Sequence, residues 1–405
     1  MINQEETLKD RIEATAAEIF PQVRSIREHI HAHPELSFEE YLTSDFVAGR
    51  LQDWGIEFTR GWGGTGIVAL LKGDLPAEKE TCTAVRAELD ALPILEDSSA
   101  GYCSQNKGIM HACGHDAHTA CLLGAARILQ SCKDAWTGTL KLIFQPGEEK
   151  HPGGGSLLLA EGVLESPKVD RILALHVYPT LPAGVVGFRE GKYMASTDEI
   201  HLTIRGKGGH AALPHQTIDP ISIAAEVVMA LQQLVSRRSN PVVPCVLSFG
   251  HIAGGTANNI IPDTVTLSGT LRTMDEDGRT EAHRLIQKVT TSICESWGAT
   301  AEINIPKGYP SLYNNPALTA QSSGLAKEYL GSDQVRVLDL RMTADDFAFY
   351  SHQVPGCYFR LGTAAGEKYG HSVHTAQFDI QAEALQTGSG LMAFLVASLN
   401  NKTAF

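Results

Sequence analysis

The fold of this chain can be predicted outward from the segment TLKLIFQPG at residues 139–147. Its mostly apolar first half is typical of a buried strand, and the Pro-Gly pair is typical of a turn that ends one. A glycine-rich turn at 153–155 opens a predicted helix over 156–161, and residues 171–175 form the next predicted strand. This alternation predicts an α/β layer with a mainly parallel sheet and helices on both faces.

Polar residues follow several of the predicted strands. Asp90 comes after the strand-like run at 81–88, the acidic pair at 148–149 follows the segment quoted above, and His176 ends the strand at 171–175. The carboxyl ends of parallel strands meet at one edge of a sheet, where such folds bind their ligands. We therefore expect these side chains to lie close together.

The pattern changes near residue 197. A strand, a helix, two strands, a helix and a strand are predicted at 199–205, 219–237, 242–250, 264–272, 281–297 and 300–305. That order is typical of the ferredoxin-like βαββαβ sandwich, a complete small domain whose edge strands favour pairing with a second copy. We expect a catalytic domain in two parts, 1–196 and 309–405, with the small domain inserted at 197–308.

The last section resumes the α/β pattern. A short helix is expected to begin at Asp345, with Thr343 as its N-cap and Asp346 three residues further on. A strand at 357–361 then leads towards His374, and a final helix is expected after it.

Composition excludes several classes of protein. A net charge of −13 over 405 residues argues against nucleic acid or an anionic membrane as a partner. No apolar run reaches the length of a membrane span, and the first residues lack the features of a signal peptide. The eight cysteines include no CxxC pair, which is typical of reduced thiols, so we expect a cytoplasmic protein.

The densest cluster of reactive side chains is MHACGHDAH at 110–118. Thiolate and imidazole are good ligands for divalent metals of borderline softness. Cys113 and His115 are two residues apart, so a helix would point them in nearly opposite directions. They can converge on one ion only from a loop or a strand-to-helix turn, which Gly114 permits. The alternative is a buried cysteine beside core histidines.

Further possible ligands follow the other strands. Glu148 and Glu149 are adjacent carboxylates, which repel each other unless a cation neutralises them or one is protonated. Beside a metal, one can bind the ion while the other acts as a general base; alone, the pair can equally be a solvated loop. With His176 and His374 the set offers more ligands than one tetrahedral ion needs, which favours a pair of ions.

A series of longer motifs runs through nearly the whole chain. They are RxxxHxHPELSFEE at 27–40, RAELDALP at 86–93, HACGHD at 111–116, FQPGEE at 144–149, ALH at 174–176, GKGGHAALPH at 206–215, GGTANNIIPD at 254–263 and DDF at 345–347. Together they resemble the amidohydrolase branch of the aminoacylase/carboxypeptidase metallopeptidases. That branch includes hippurate hydrolases, N-acyl-amino-acid deacylases and plant auxin-conjugate hydrolases.

The resemblance implies a site for two divalent ions, zinc or manganese. The ligands that it implies are Cys113, His115, Glu149, His176 and His374. Cys113 would bridge the ions, with His115 and Glu149 on one and the two remaining histidines on the other. Glu148 matches the general base that moves a proton from water to the leaving nitrogen. Asp90 matches a carboxylate that orients a metal-ligand histidine.

The resemblance also implies that the inserted domain is a lid and dimerisation domain. His210 matches a histidine that reaches into the active site of the other subunit and polarises the scissile carbonyl. Asn258, Asn259 and Arg272 are candidates for holding the substrate carboxylate, Arg272 through its planar fork. The alternatives are an ordinary loop histidine and a strand arginine that is merely ion-paired.

The chain departs from the family pattern at a few positions. Glu88 stands where the first aspartate of RADMD is more common, Asp345 where glutamate is usual, and Ala376 where proline is common. None of these changes removes a ligand, so we expect an active enzyme. The resemblance assigns no role to Glu88.

The motifs and the resemblance together imply a dinuclear metallohydrolase that cleaves the amide bond of N-acyl amino acids, carrying acetyl, benzoyl or similar groups, and that forms a homodimer. Within the same class, the alternatives are an N-acetyl-diaminopimelate-type deacetylase and a dipeptidase or carboxypeptidase. From another class, the alternative is a non-catalytic, metal-binding, dimeric interaction protein, which loss of Glu148 or of a ligand would have favoured. A redox or structural zinc protein would need a second cysteine at ligand spacing from Cys113.

Overall fold

The computed structural model describes residues 7–366 and 369–401. Its helices are α1 (Leu8–Ala32), α2 (Tyr41–Asp53), α3 (His115–Ser131), α4 (Gly154–Ala160), α5 (Pro220–Gln233), α6 (Glu276–Ser296), α7 (Pro316–Leu330), α8 (Phe347–Ser351) and α9 (Glu383–Asn401). Its strands are β1 (Glu57–Trp62), β2 (Gly66–Lys72), β3 (Cys82–Glu88), β4 (Thr139–Gln145), β5 (Arg171–Pro182), β6 (Val186–Phe188), β7 (Gly191–Met194), β8 (Asp198–Arg205), β9 (Gly209–His210), β10 (Cys245–Ala253), β11 (Ile260–Ile261), β12 (Thr264–Thr273), β13 (Thr300–Asn304), β14 (Leu312–Asn314), β15 (Val335–Val337) and β16 (Gly356–Ala364).

The described chain separates into two compact units. As far as their residues are described, the first comprises Met1–Gly191, Tyr313–Asp339 and Phe349–Phe405, and the second comprises Lys192–Leu312 and Leu340–Ala348. The second unit therefore takes a short later segment of the chain in addition to the inserted region.

The first unit is built on an eight-stranded sheet in the order β1-β2-β4-β3-β5-β16-β6-β15. The central strands β4, β3, β5 and β16 are parallel to one another, while β1, β2 and β6 join the sheet through antiparallel pairings. Every residue of β3 is buried, and nearly every residue of β4 and β16. Because successive side chains point to opposite faces, both faces of these strands are covered. The mixed α/β architecture with a large, mostly parallel sheet confirms the predicted fold class.

Three long helices of the first unit, α1, α3 and α9, pack against one another. Helices α3 and α9 approach closely where each carries a glycine. A Cβ at Gly124 would lie 2.4 Å from Ser389 Oγ, and one at Gly388 would lie 2.6 Å from Cys121 Sγ. Nearly all of α3 is buried, including its first residue, His115. The start of α3 is therefore held in the interior of the unit.

The second unit contains a four-stranded antiparallel sheet in the order β10-β12-β8-β13, with α5 and α6 packed against it. The elements follow in the predicted βαββαβ order, and the strand order is that of a ferredoxin-like sandwich. A buried carboxylate, Asp198, ties the unit together: it accepts hydrogen bonds from Arg279 at 2.6 and 2.7 Å and from the Gly308 amide at 2.9 Å. Strands β10 and β13 form the two edges of this sheet.

The cap predicted for the short helix near residue 345 is wrong. Helix α8 begins at Phe347, and its amide donates to Asp345 Oδ1 at 2.8 Å, so Asp345 caps it rather than Thr343. The backbone carbonyl of Thr343 instead accepts a hydrogen bond from the Ala195 amide. No helix in the described ranges is both long enough and apolar enough to span a bilayer.

Candidate metal centre

The residues around Cys113 form a bend that leads directly into α3. Gly114 has a φ of 85°, in the left-handed region, and the helix begins at His115. A Cβ at Gly114 would lie 2.5 Å from Val177 Cγ2, so both the conformation and the available space require glycine. Cys113 and His115 therefore lie on either side of a loop-to-helix bend, and their ligand atoms lie within 4.8 Å of each other.

Cys113 is at the centre of a cluster of possible ligands. Its Sγ lies 3.4 Å from His176 Nε2 and 3.3 Å from His374 Nε2, and His374 Nε2 lies 3.2 Å from Glu149 Oε1. Two groups have their ligand atoms within 4.8 Å of one another: Cys113 with His115 and His176, and Cys113 with Glu149 and His374. Ligands of one tetrahedral zinc ion stand about 3.5 Å apart, so both groups have suitable spacing. Cys113 belongs to both, as a bridging ligand must.

The orientation of His115 also fits a metal ligand. Its Nδ1 lies 2.8 Å from the Asp90 carbonyl oxygen and 3.1 Å from Asp90 Oδ1, so this nitrogen carries the proton and donates it. Its Nε2 is buried and has no hydrogen-bond partner. An unsatisfied buried nitrogen costs about 1–3 kcal/mol, which an ion bound to its lone pair would offset.

The charges around Cys113 fit a cation as well. Burial raises the pKa of the Cys113 thiol, and the carboxylates of Glu149, Glu148 and Glu88 raise it further. The thiolate that binds metals is therefore favoured here only when a cation offsets these negative charges. Burial and the charge of Arg360 lower the pKa of His176, so its ring is neutral, as a metal ligand must be.

His374 reaches the cluster from a strained backbone. Its φ of 63° lies in the left-handed region, which is uncommon for residues other than glycine. Its amide donates to the Ala112 carbonyl at 2.8 Å, which ties its loop to the residue before Cys113. Strain of this kind persists where the surrounding structure holds it, often at functional sites.

The adjacent acids are held beside the same cluster. The Glu149 amide donates to Asp90 Oδ2 at 2.9 Å, and Glu148 is buried. His115, Glu148 and Glu149 form a further group with ligand atoms within 4.8 Å. Burial raises the pKa of Asp90, but hydrogen bonds from His115, Glu149 and Ser37 outweigh this effect and hold it below its ordinary value. Asp90 therefore links the acidic pair to His115 as a charged acceptor.

Sequence reasoning assigned no role to Glu88 or His118, and the structure joins them. Glu88 is fully buried, accepts a short hydrogen bond from Arg86, and lies 2.8 Å from His118 Nδ1. His118 Nε2 accepts the Val177 amide proton at 2.9 Å, so the ring proton is on Nδ1. These bonds hold the backbone next to the possible ligand His176. The signal in the sequence is that His118 lies three residues after His115, on the same helix face.

The predicted residues of the second unit lie in different local settings. His210 is exposed on β9, whose backbone pairs with β11, and the backbone carbonyl of Asn259 accepts a hydrogen bond from the Ala211 amide. Asn258 is exposed in the same loop region. Arg272 lies on β12 and donates to the Met342 carbonyl at 3.2 Å, while burial lowers its pKa. The structure therefore brings His210 and Asn259 near each other within this unit, and the roles of all four residues stay predictions.

Known proteins are similar to this chain over most of its length. Residues 84–398 match the model of peptidase family M20/M25/M40. An N-acyl-L-amino acid amidohydrolase from Geobacillus stearothermophilus is 41% identical over 307 residues, which is 76% of this chain and 81% of that protein. Thermostable carboxypeptidase 2 from Saccharolobus solfataricus is 37% identical over 98% of this chain and 100% of its own length.

A solved structure is also similar. It is a dinuclear metal-binding peptidase of the M20 family from Bacillus subtilis, with a TM-score of 0.80 and 31% identity, covering 95% of this chain and 99% of its own. These matches confirm the resemblance that the motifs indicated. The chain therefore belongs to peptidase family M20/M25/M40 and is a metal-dependent hydrolase that acts on amide bonds.

Proposed function

We propose that this hydrolase is a dinuclear amidohydrolase that releases free amino acids from N-acyl amino acids. The observation that carries the proposal is the pair of ligand groups that share Cys113. One group would hold an ion through Cys113, His115 and His176, and the other through Cys113, Glu149 and His374. The two groups that share Cys113 support this division, whereas the sequence analysis placed His115 with Glu149, a pairing that the group of His115, Glu148 and Glu149 also allows. Zinc and manganese both suit this mixture of ligands.

The side chains of the site have separate tasks in this proposal. When bound, the ions supply Lewis acidity that polarises the scissile carbonyl and lowers the pKa of water. Glu148 takes a proton from the attacking water and delivers it to the leaving nitrogen. Asp90 keeps the His115 proton on Nδ1, which leaves Nε2 as a lone pair for binding.

Two substrate classes have support from relatives. The similarity to the amidohydrolase from Geobacillus stearothermophilus supports N-acyl amino acids as substrates. The similarity to the carboxypeptidase from Saccharolobus solfataricus supports peptides with a free carboxyl end. Both substrates carry a carboxylate next to the amide that is cleaved. We place N-acyl amino acids first because the relative that acts on them has the higher identity.

We expect purified protein to bind up to two divalent ions per chain and to lose its activity when they are removed. Turnover would be measured on N-acetyl, N-benzoyl and indole-acetyl amino acids and on blocked dipeptides, with zinc and with manganese. Chelation should abolish hydrolysis, and restoring either ion should recover it. Full activity with a single ion per chain would contradict the dinuclear site, and a preference for the dipeptides would favour the carboxypeptidase.

The proposal includes a homodimer. The edge strand β10 and the outer face of α5 expose apolar side chains, with Ile252 at 56%, Ile221 at 45% and Met229 at 70% exposure. An exposed edge strand favours pairing with a second copy, which would also cover exposed apolar side chains. In such a dimer, His210 from one chain would donate a hydrogen bond to the oxyanion in the site of the other.

The eight described cysteines are free thiols, which supports a cytoplasmic location.

Sharing of the site can be tested by mixing two variants. His210→Ala and Glu148→Gln should each be nearly inactive as homodimers. Loss of one oxyanion donor lowers the rate about 100-fold or more, and loss of a general base lowers it by a similar factor. A heterodimer of the two, purified through different tags, would regain one intact site and about half the wild-type activity per dimer. Heterodimer activity no higher than that of either homodimer would show that His210 does not act across subunits.

A further inference from the structure

A fully buried carboxylate, Glu40, lies beneath the turn that carries the adjacent acids. Its Oε1 accepts the amide protons of Gly147 and Phe38, both at 2.8 Å, and its Oε2 accepts the Thr65 hydroxyl proton at 2.6 Å. Glu40 has no solvent exposure. It belongs to the HPELSFEE motif, to which the proposed function gives no task. All four residues belong to the first unit.

The turn itself has little freedom to relax. Gly147 has a φ of 57°, and its carbonyl accepts the Gly154 amide proton at 3.0 Å. A Cβ at Gly147 would lie 2.3 Å from the Phe38 ring. Phe38 is itself in the left-handed region, with a φ of 69°, and its amide is held by the same Glu40 oxygen. Glu40 therefore holds both the turn and the ring that packs against it.

The far side of the turn is held in the same way. The Glu149 amide donates to Asp90 Oδ2 at 2.9 Å, and Asp90 Oδ2 also accepts the Ser37 hydroxyl proton at 2.7 Å. The residues before and after Glu148 are thus each bound through their amides to a buried carboxylate. Ser37, which donates to Asp90, and Glu40 come from one short segment. That segment therefore helps to position both carboxylates that bind the turn.

Burying such a group is costly, which argues against an incidental contact. Burial and the nearby charge of Asp90 raise the pKa of Glu40 to about 7. A carboxylate with three donors directed at it satisfies them all, whereas an apolar side chain would leave the Gly147 amide unpaired. The hydrogen bond from the Gly147 amide to Glu40 therefore fixes the backbone at Gly147, beside the ligand cluster.

We propose that Glu40 is a positioning residue for the general base: by binding the Gly147 amide it holds the turn that places the Glu148 carboxylate. This inference rests on the proposed function, in which Glu148 moves the proton. Glu40 itself touches neither the substrate nor a ligand side chain in this arrangement. Its removal should therefore slow the chemical step without changing substrate affinity or the content of metal ions.

The first test is kinetic. Glu40→Ala should lower kcat by about 10- to 100-fold while KM and two bound ions per chain stay at wild-type values, because small displacements of a catalytic group cost rates of this order. Glu40→Gln keeps an acceptor oxygen for the Gly147 amide and should recover most of the loss. The matched control is Asp170→Ala, which removes a carboxylate that accepts the Cys82 amide proton at 2.8 Å, at the opposite end of β3, and should leave kcat unchanged.

The second test needs no substrate. Hydrogen–deuterium exchange of a peptide that covers residues 145–149 should be faster in Glu40→Ala than in the wild type, Glu40→Gln or Asp170→Ala. If the metal-loaded wild type hydrolyses none of the amides, the proposed function fails, while exchange still decides whether Glu40 anchors the turn. If Glu40→Ala does not fold, Gly147→Ala replaces it, because its Cβ displaces the same turn.

Three results would overturn the inference. One is wild-type kcat in metal-loaded Glu40→Ala or Gly147→Ala. Another is Glu40→Gln as slow as Glu40→Ala, which would show that the charge matters and not the hydrogen bond. The third is loss of the ions from Glu40→Ala with unchanged exchange in the turn, which would make Glu40 a support of the metal site alone.

Discussion

Glu148→Gln is expected to retain both metal ions and to lose between about 100- and 10,000-fold in kcat, the range for a lost general base. Glutamine keeps the shape of the side chain but cannot take a proton from water. Glu148 lies in one group with His115 and Glu149, yet it belongs to neither of the two groups that contain Cys113. Removing its charge should therefore stop proton transfer and leave the ligands in place.

The neighbouring residue provides the matched control. Glu149→Gln should lower the metal content, because Glu149 belongs to one group with Cys113 and His374. Metal analysis of both proteins, together with kcat at saturating zinc or manganese, separates the two roles. If Glu148→Gln lost an ion and Glu149→Gln kept both, the assignment of base and ligand would be reversed.

Cys113→Ala is expected to weaken the binding of both ions and to abolish activity. The Cys113 Sγ is the atom that the two ligand groups share, and its nearest ligand nitrogens, on His176 and His374, lie at 3.4 and 3.3 Å. Competition with a chromophoric chelator would give the affinity of each ion. Loss of one ion with the affinity of the other unchanged would show that Cys113 does not bridge.

Cys121→Ala is the control for the cysteine substitution. Cys121 is also fully buried and lies in α3, but its Sγ faces the Leu385 carbonyl at 3.8 Å instead of a ligand. Its removal should leave both ions bound. A similar loss of metal from both cysteine variants would point to general loosening of α3.

Local patterns predicted the parts of the site that depend on neighbours in sequence. Gly114 between two ligand types indicated a bend, and the acids after β3 and β4 indicated a shared sheet edge. His176 was expected just after its strand, but β5 continues to Pro182 and His176 lies within it. The cap at Thr343 was mispredicted because α8 begins at Phe347, whose amide donates to the Asp345 carboxylate, so Thr343 lies too far from the first turn. Capping rules rank residue types, and the backbone path decides which one reaches the amide.

Long-range partners could not be predicted. Glu40 and the Gly147 amide are 107 residues apart in sequence, and only the sheet and the segment before α2 bring them together. The Glu88–His118 pair is similar, since a charged residue at the end of a strand is equally typical of a solvated position. A structural role for Glu40 and for the Glu88–His118 pair can be inferred only from the structure, which shows that these side chains are buried.

The position of β16 has a consequence for synthesis of the chain. This strand pairs with β5 on one side and with β6 on the other, yet it is translated after the whole of the second unit. Until residue 364 has left the ribosome, the edge of β5 that faces away from β3 lacks its partner strand, and His374 comes later still. Domains generally fold as units during synthesis, so nearly all of the second unit is available to fold in that interval, whereas the first unit still lacks one of its central strands. Nascent chains therefore cannot assemble the ligand group of Cys113, Glu149 and His374 before residue 374 has been synthesised.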